Sequence, residues 1–376
     1  MGKWLKVILV YRCRPAAPAP RDLRAGRCAC GTMAAILGMG NPLLDISANA
    51  DKAMFEKYGL EPGGIILAEE KHMPVYAEMQ AKPDVKYIAG GATQNSIRVA
   101  QWMLQEAGAT AYMGCVGKDA NAQKLRDACV ADGVNAQYME DATTPTGLCA
   151  CLIMDKERSL CTSLAAANNY KAEHVKQPAN WAIVEKAKII YSAGFFITVS
   201  PEAIEAVSTH TRQSGAIYCL NLSAPFIVQV PPFRACLQKT LPDVDYLFGN
   251  ETEARAYAEA CGWETDNVEF IATRLSLIPM NEKAGKPRKR HVVITQGCEP
   301  TVVALNGMVT LYPIIKLDSS KIVDTNGAGD AFVGGFLAAL SKGKDTKACC
   351  EAGNHSASIV IQHSGCTYPA KPDYSW

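Results

Sequence analysis

The sequence predicts an α/β fold: a mainly parallel central sheet covered by helices on both faces, with a smaller β-rich lid. Strand-like apolar segments alternate with helical patterns over most of the chain, as they do in sheets of parallel strands. Hairpin-rich segments at about 45–90 and 140–168 fit such a sheet less well, and we assign them to the lid. Glycine turns at 90–91, 297 and 327–329 each follow a strand-like segment. They can therefore meet at the carboxyl edge of the sheet, where ligands bind in such folds.

Composition excludes several classes of protein. The chain has 376 residues, a net charge of +1 and 48% hydrophobic residues, which predicts a globular protein without a general attraction to nucleic acid or to acidic membranes. No apolar run is long enough for a membrane span. The fifteen cysteines lack zinc-finger spacing, and they are typical of reduced thiols in the cytoplasm.

The first 32 residues differ from the rest. They contain seven basic residues and one acidic residue, with prolines among alanines. Such a segment cannot build a core, so we predict a flexible basic leader at 1–32 and a folded domain at 33–376. A transit peptide is less consistent with it, because serine content and a clear amphipathic helix are missing.

Each predicted element follows from local patterns. After a short strand that enters Gly38-Met39-Gly40, apolar and β-branched runs predict strands at 65–67, 109–117, 134–139, 146–154, 158–164, 188–196, 216–222, 244–249, 291–296, 301–304 and 309–315. Apolar residues at helical spacing, bounded by glycine, proline or capping residues, predict helices at 51–58, 69–79, 96–106, 120–131, 201–214, 251–261, 267–277, 331–340 and 346–363. The segments 146–154 and 158–164 read as a hairpin with its turn at 155–157.

The segment from Asp324 to Asp330 is the most informative motif. It places Gly327 and Gly329 directly before a helix, where free backbone N–H groups and the helix dipole favour an anion. An aspartate there would repel an anion, unless its carboxylate accepts a proton beside a phosphate. Asp330 is thus either the base of a phosphoryl-transfer site or an ordinary helix cap. Position at a helix start also favours its ionised form, so we expect Asp330 to be charged at pH 7.

Two more polar residues stand at unusual places. Asp45 follows Gly38-Met39-Gly40 in a stretch too apolar for a surface loop, and Pro42 rules out the helix of a dinucleotide fingerprint. Its carboxylate either binds two neighbouring sugar hydroxyls or makes a structural hydrogen bond. Asn95 lies in the first turn of a helix that starts after Gly90-Gly91, as a capping residue or as a hydroxyl ligand.

Two further motifs keep alternative interpretations. Asn250 and Glu253 begin a helix after a strand, either as a magnesium site that works through water or as a capping box. The basic run at 283–290 is a nuclear signal or, more commonly, a solvated loop. None of the four Gly-Lys pairs is followed by Ser or Thr, so a P-loop is excluded.

In this order, these motifs resemble those of the ribokinase-like (PfkB) carbohydrate kinase family. The similarity extends over about residues 34–373. It includes the sequences at 38–47, 93–96, 164–168, 194–196, 221–226, 248–253 and 324–330. The resemblance implies a ribokinase-like three-layer α/β/α domain. It also implies ATP-dependent phosphorylation of the 5′-hydroxyl of adenosine, which gives AMP and ADP with Mg²⁺ as the metal ion.

The resemblance also implies roles for individual residues. Asp330 would be the general base, the amides of Asn326, Gly327, Ala328 and Gly329 would form an anion hole, and Arg158 would help with phosphate charge. The nucleoside would contact Asn41, Asp45, Leu67, Gly90, Gly91, Asn95, Cys149, Leu160, Phe195 and Phe226. ATP would lie along Asn250, Thr295, Gly297, Ala328, Gly329 and Asn354. Asn250 and Glu253 would organise Mg²⁺ through water.

Two departures from the family pattern and two alternatives remain. Ala92 stands where a serine can occur, and Ile65 stands where a polar residue can be expected. The alternatives are another ribokinase-like nucleoside or sugar kinase, and a nucleoside-binding protein without catalysis. We expect a cytoplasmic monomer whose ligands are adenosine and ATP, with no nucleic-acid or membrane partner; the basic run also allows a nuclear location.

Overall fold

The computed structural model describes residues 35–154 and 157–376. The predicted leader at 1–32, the start of the folded part at Met33 and the centre of the hairpin turn at 155–156 lie outside these residues. The side chain of Ile65 is also outside the description.

Strands make up two sheets in the described part of the chain. They are β1 (Ile36–Met39), β2 (Leu43–Asn49), β3 (Ile65–Leu67), β4 (Lys86–Gly90), β5 (Thr110–Gly117), β6 (Asn135–Asp141), β7 (Leu148–Met154), β8 (Glu157–Ser163), β9 (Ile189–Ala193), β10 (Ile217–Asn221), β11 (Tyr246–Asn250), β12 (His291–Gln296), β13 (Glu299–Leu305) and β14 (Met308–Tyr312).

Helices connect most of these strands. They are α1 (Lys52–Tyr58), α2 (Pro74–Gln80), α3 (Ala92–Leu104), α4 (Ala120–Asp132), α5 (Ala172–Val175), α6 (Pro178–Lys186), α7 (Pro201–Ser214), α8 (Pro225–Gln229), α9 (Pro231–Thr240), α10 (Glu251–Ala260), α11 (Val268–Ser276), α12 (Ala328–Ser341) and α13 (Thr346–Val360). Short 3₁₀ turns include Gly194–Thr198.

The larger sheet has nine strands in the order β14-β13-β12-β11-β10-β9-β1-β5-β6. The seven strands from β12 to β6 are parallel, and β13 and β14 add an antiparallel edge. Successive residues of β1 pack on opposite faces. Ile36 joins the apolar core that contains Phe336, and Leu37 joins the core that contains Ile204. Because both faces are apolar, helices cover both of them. The seven parallel strands end at the same edge of the sheet, so the polar residues at their carboxyl ends lie close together.

The smaller sheet has five strands in the order β3-β8-β7-β2-β4, and we call it the small sheet. β7 and β8 form the predicted antiparallel hairpin, and β2 lies parallel to β7. A separate apolar core under one face contains Phe55, Tyr76 and Leu152. The other face carries Asp45 and Cys149, which are paired in register.

The basic run at 283–290 is largely part of the fold. Arg290 is fully buried and donates to four carbonyls at the ends of nearby helices and turns, among them those of Val244 and Leu275. Arg288 and Lys283 pair with Asp245. The solvated-loop interpretation therefore holds only for the exposed Lys286 and Lys289, not for the run as a whole.

Within residues 35–154 and 157–376, no helix is both long and apolar enough to cross a membrane.

Candidate active site

The glycine turn before α12 has the geometry that its sequence predicts. Gly327 caps the helix with a φ of 81°, a left-handed conformation that side chains other than glycine adopt only with strain. Behind the turn, α12 is buried along Phe332 and Phe336, so the helix start is fixed against the core. Asp330 is its third residue and is only partly exposed.

The amides of this turn are not all free. The N–H of Asn326 donates to Asp324 Oδ1 at 3.0 Å, and that of Ala328 donates to the Thr325 carbonyl at 3.2 Å. Among the residues that the structure describes, the N–H groups of Gly327, Gly329 and Asp330 have no acceptor. The predicted anion hole at 326–329 is therefore wrong for Asn326 and Ala328, whose amides close the turn, and the free donors instead extend to Asp330.

Asp330 is linked directly to Asn95. Asn95 Nδ2 donates to Asp330 Oδ2 at 3.0 Å, across 235 positions of sequence. Burial raises the pKa of Asp330 to about 7, and the hydrogen bond from Asn95 offsets part of this rise. With a pKa of about 7, Asp330 is about half ionised at pH 7, so the expectation of a charged carboxylate holds only in part, because desolvation outweighs the favourable position at the helix start.

Asp45 is a buried carboxylate without a partner. It is 9% exposed, and no hydrogen bond or ion pair to its side chain exists in the described residues. Burial raises the pKa of Asp45 to about 7, and the charge of Arg158 lowers it in part. The backbone of Gly90 lies so close that any Cβ at position 90 would overlap the carboxylate. A ligand that donates hydrogen bonds would stabilise the ionised form of this group, because an unpaired buried carboxylate is unfavourable.

Two buried amide oxygens also have no hydrogen-bond partner among the described residues. They are the Oδ1 atoms of Asn41 and Asn95. Asn41 follows β1, and its backbone carbonyl contacts Gly91 closely. Buried polar atoms without partners usually have a bound water or ligand that satisfies them.

A cavity of about 100 Å³ lies at the carboxyl edge of the larger sheet. It brings together residues from distant parts of the sequence: Ala92, Phe195, Asn221, Ser223, Phe248, Gly249, Asn250, Glu253, Val293, Thr295, Gly329, Asp330, Phe332 and Val333. The cavity therefore joins the base candidate to the Asn250–Glu253 motif, as parallel strands make possible. Ala92, one of the two departures from the family pattern, lines this cavity with a methyl group.

Asn250 and Glu253 form a complete capping box. Asn250 Oδ1 accepts from the Glu253 N–H at 2.8 Å, and the Glu253 carboxylate accepts from the Asn250 N–H and Nδ2 at 3.0 and 2.9 Å. Burial raises the pKa of Glu253 to about 7. The remaining lone pairs of the carboxylate suit a hydrated Mg²⁺ better than a directly ligated one, so the donor set fits a site that works through water.

The predicted adenine contacts are only partly assembled. The rings of Phe195 and Phe226 lie 6.0 Å apart, and Cys149 is buried. Leu160 is partly exposed, and Leu67 on the edge strand β3 is 55% exposed. An apolar adenine pocket would cover Leu67, so this contact is not formed in the described arrangement.

Arg158 is held by the phosphate-site motif itself. Its Nε lies 3.0 Å from Asp324 Oδ2, and its Nη2 donates to Ser364 Oγ at 2.7 Å. Asp324 also accepts from the Gly365 N–H at 2.7 Å. Only Nη1 of Arg158 has no partner among the described residues. The arginine thus ties the small sheet to the glycine turn and keeps one donor group for another acceptor.

We expect Arg158→Leu to lower the free energy of unfolding by about 3 kcal/mol, because it leaves Asp324 as a buried charge without its ion partner. Both side chains of the pair are less than a tenth exposed. Urea unfolding measures the loss. Arg126→Leu is the matched control: its pair with Glu140 is at the surface and contributes less than about 1 kcal/mol. Equal losses in both variants would contradict a special role for the buried pair.

The remaining predicted ATP contacts are dispersed. Thr295 lines the cavity at the end of β12, and Gly297 follows in the turn to β13. Asn354 on α13 is buried, and its Nδ2 donates to the Pro313 carbonyl at 3.1 Å. Its amide nitrogen therefore holds the loop after β14.

Sequence reasoning missed three residues of the site. Asn221 Oδ1 accepts from the Ser223 N–H at 2.9 Å, and Ser223 Oγ accepts from the Gly194 N–H at 2.8 Å; both residues line the cavity. Asn221 ends β10 and Ser223 follows it, at the same sheet edge as Asn250 at the end of β11, which is the signal that could have identified them. The third is Asp324, the first residue of the motif at 324–330, which organises the turn by accepting from Asn326 and Gly365 and by pairing with Arg158.

Comparison with known proteins agrees with this geometry. The model of the pfkB family of carbohydrate kinases matches residues 53–373. The chain is 54% identical over 340 residues to adenosine kinase 1 of Arabidopsis thaliana, a match that covers 90% of this chain and 97% of the relative. It is 44% identical over 336 residues to the adenosine kinase of Schizosaccharomyces pombe, with 89% and 96% covered.

Solved structures give the same result. The adenosine kinase of Anopheles gambiae, in complex with P1,P4-di(adenosine-5) tetraphosphate, superposes with a TM-score of 0.85 at 44% identity, and 90% of this chain and 99% of that chain are covered. The adenosine kinase of Schistosoma mansoni in complex with 2-fluoroadenosine gives 0.84 at 36% identity, with 90% and 98% covered. The ribokinase-like fold predicted from the sequence is confirmed. The chain belongs to the pfkB family of carbohydrate kinases and, within it, to the adenosine kinases.

Proposed function

We propose that this chain transfers the γ-phosphoryl group of ATP to the 5′-hydroxyl of adenosine and forms AMP and ADP. The observation that carries this proposal is the hydrogen bond between Asn95 and Asp330 beside three free amides at the start of α12. A base, an anion site and a buried amide oxygen that can accept from a sugar hydroxyl therefore lie next to one another. The relatives named as adenosine kinases support the choice of nucleoside.

The unsatisfied polar groups suit a ribose. Asp45 would accept hydrogen bonds from the two ribose hydroxyls, with Gly90 and Gly91 allowing close approach. Asn95 Oδ1 and Asn41 Oδ1 would accept from further polar groups of the nucleoside. Binding would replace the unfavourable burial of these groups with charge-assisted hydrogen bonds, which are stronger than bonds between neutral groups.

Phosphoryl transfer would then use the start of α12. Asp330 would accept the proton of the 5′-hydroxyl as the bond from oxygen to phosphorus forms, and the bond to the leaving ADP oxygen would break. The N–H groups of Gly327 and Gly329 would bind the equatorial oxygens of the group in transfer, where charge is spread. Mg²⁺, organised through water by Asn250 and Glu253, would neutralise charge on the ATP phosphates when bound.

The small sheet is our candidate for the lid, and it fits the predicted segments 45–90 and 140–168. Its closure would exclude water, which otherwise competes with the nucleoside as acceptor. Arg158 would couple this closure to the glycine turn through Asp324, with Nη1 free for a phosphate oxygen. We further propose a cytoplasmic monomer, in line with the free thiols of the described cysteines.

The pH profile of kcat/KM should report Asp330. Since only the deprotonated carboxylate accepts a proton, and its pKa is about 7, kcat/KM should fall by at least about tenfold from pH 8 to pH 6. Asp45 and Glu253, whose pKa values burial also raises to about 7, add to this fall, so the Asn95 variant is what assigns the part due to Asp330. Asn95→Ala removes a hydrogen bond that lowers this pKa, so the midpoint of the profile should move to higher pH. Ser96→Ala should leave it in place, because that hydroxyl donates to the Ala92 carbonyl. A midpoint that Asn95→Ala leaves unchanged would contradict the link.

A substrate panel tests the proposed reaction. ADP release is measured with Mg²⁺-ATP and adenosine, inosine, ribose or fructose in separate reactions. We expect adenosine to have the highest kcat/KM and its product to be AMP. Higher kcat/KM for ribose or fructose would make the chain a sugar kinase, and adenosine binding without ADP release would make it a binding protein.

A further inference from the structure

The two cysteines at 149 and 151 lie beside the unpartnered carboxylate of Asp45. They are two residues apart on β7, so both side chains lie on the same face of the small sheet. β2 pairs with β7 in parallel register, which places Asp45 opposite Cys149. The two Sγ atoms and a carboxylate oxygen of Asp45 are all within 4.8 Å of one another. Both cysteines are free thiols and are buried.

We propose that Asp45, Cys149 and Cys151 form a binding site for a soft divalent metal ion such as Zn²⁺ or Cd²⁺, and that an ion bound there excludes the ribose of the nucleoside. Two thiolates and one carboxylate are the ligand types that such ions prefer. Mg²⁺ would not compete for the site, because it prefers oxygen ligands and octahedral geometry. The exclusion of ribose rests on the proposed function; metal binding itself does not.

The distance between the sulfurs supports a metal rather than a disulfide. Cys149 Sγ and Cys151 Sγ are 3.9 Å apart. Two sulfurs bound to one tetrahedral ion at about 2.3 Å each would be separated by about 3.8 Å, so the strand already holds them at the right span. A disulfide would need them at about 2.0 Å, which the regular pairing of β7 with both neighbouring strands opposes.

Neighbouring groups complete the site. Thr162 Oγ1 donates to Cys149 Sγ at 3.3 Å, which orients the sulfur as outer hydrogen bonds commonly do around metal ligands. Binding would replace two S–H bonds with two bonds from sulfur to the metal and release both protons to solvent. Two thiolates, one carboxylate and one divalent ion carry a net charge of −1.

Titration of the reduced, full-length chain with Cd²⁺ tests the proposal without any nucleoside, so its result is independent of the proposed function. The readout is the ultraviolet absorption of cadmium–thiolate bonds. The background carries Cys28→Ser, Cys30→Ser and Cys298→Ser, which removes the other Cys-Ala-Cys sequence and the thiol that is exposed among the described cysteines. We expect one Cd²⁺ per chain. Cys151→Ala and Cys151→Ser should each weaken binding by at least about a hundredfold, since each removes a ligand.

Cys161→Ala is the matched control. Cys161 is equally buried, but it pairs with Ala150 and therefore lies on the opposite face of the small sheet. The Cys161→Ala variant should bind Cd²⁺ with the same stoichiometry and affinity as the protein that carries only the three serine substitutions. In kinase assays, Cd²⁺ should raise KM for adenosine with little change in kcat, and Cys151→Ala should remove this inhibition while activity without Cd²⁺ is kept. Absence of stoichiometric binding, or equal binding by the Cys151 variants, would overturn the site; binding without competition would overturn the exclusion of ribose.

Discussion

Asp330→Asn is expected to lower kcat for adenosine phosphorylation by about a thousandfold, within the range that general base catalysis contributes. Asparagine keeps the volume of the side chain and can still accept the hydrogen bond from Asn95 Nδ2, now 3.0 Å from the carboxylate. It cannot take the proton of the 5′-hydroxyl. Steady-state kinetics with saturating ATP gives kcat, and equilibrium binding of adenosine should change only a few-fold.

Glu251→Gln provides the control for Asp330→Asn. It removes a carboxylate from the first turn of α10, close to the capping box, but Glu251 does not line the cavity. Its kcat should stay near that of the unmodified chain. Turnover by Asp330→Asn within about threefold of the unmodified chain would rule out the role of base, because an amide is no substitute for a proton acceptor.

Asp45→Asn is expected to raise KM for adenosine by about a hundredfold or more, because it weakens two charge-assisted hydrogen bonds worth about 1.5–3 kcal/mol each. Asp45 is 9% exposed and has no hydrogen bond or ion pair among the described residues, so its replacement should affect ligand binding more than folding. 2′-Deoxyadenosine, which lacks one of the two hydroxyls, should lose less than adenosine does. KM is measured for both nucleosides in both proteins.

Ser47→Ala is the control on the same strand. Ser47 is buried, lies two residues after Asp45 on the same face of β2, and pairs with Cys151. Its replacement should leave the ratio of KM values for the two nucleosides unchanged. The proposal that Asp45 binds both ribose hydroxyls would be contradicted if Asp45→Asn reduced the affinity for adenosine and 2′-deoxyadenosine by the same factor.

Local sequence patterns predicted those elements whose ends carry residues that start or stop a helix or strand, such as proline and glycine. The helix predicted at 201–214 is observed as α7 (Pro201–Ser214), because proline begins it and Gly215 ends it in a left-handed conformation. β4 (Lys86–Gly90) was missed, since its first residues are exposed and give no apolar run. α9 (Pro231–Thr240) was not predicted, because it begins with two adjacent prolines, and adjacent prolines are more typical of a loop than of a helix start.

The site was predictable in its residue types but not in its contacts. Motifs near positions 45, 95, 250 and 330 could be recognised because glycines and polar residues followed strand-like runs. The bond between Asn95 and Asp330, and the tie between Arg158 and Asp324, depend on tertiary packing that brings distant residues together. Protonation depends on it as well: the raised pKa of Asp330 comes from burial, which the sequence around Asp330 does not reveal.

The most direct test of the account is product formation from Mg²⁺-ATP with adenosine and, in parallel, with 5′-deoxyadenosine. The second nucleoside keeps both ribose hydroxyls for Asp45 but lacks the acceptor hydroxyl. ADP and AMP are quantified chromatographically over the same time course. We predict equal amounts of ADP and AMP from adenosine and no ADP above background from 5′-deoxyadenosine. ADP release with 5′-deoxyadenosine at the adenosine rate, or ADP without AMP, would contradict transfer to the 5′-hydroxyl.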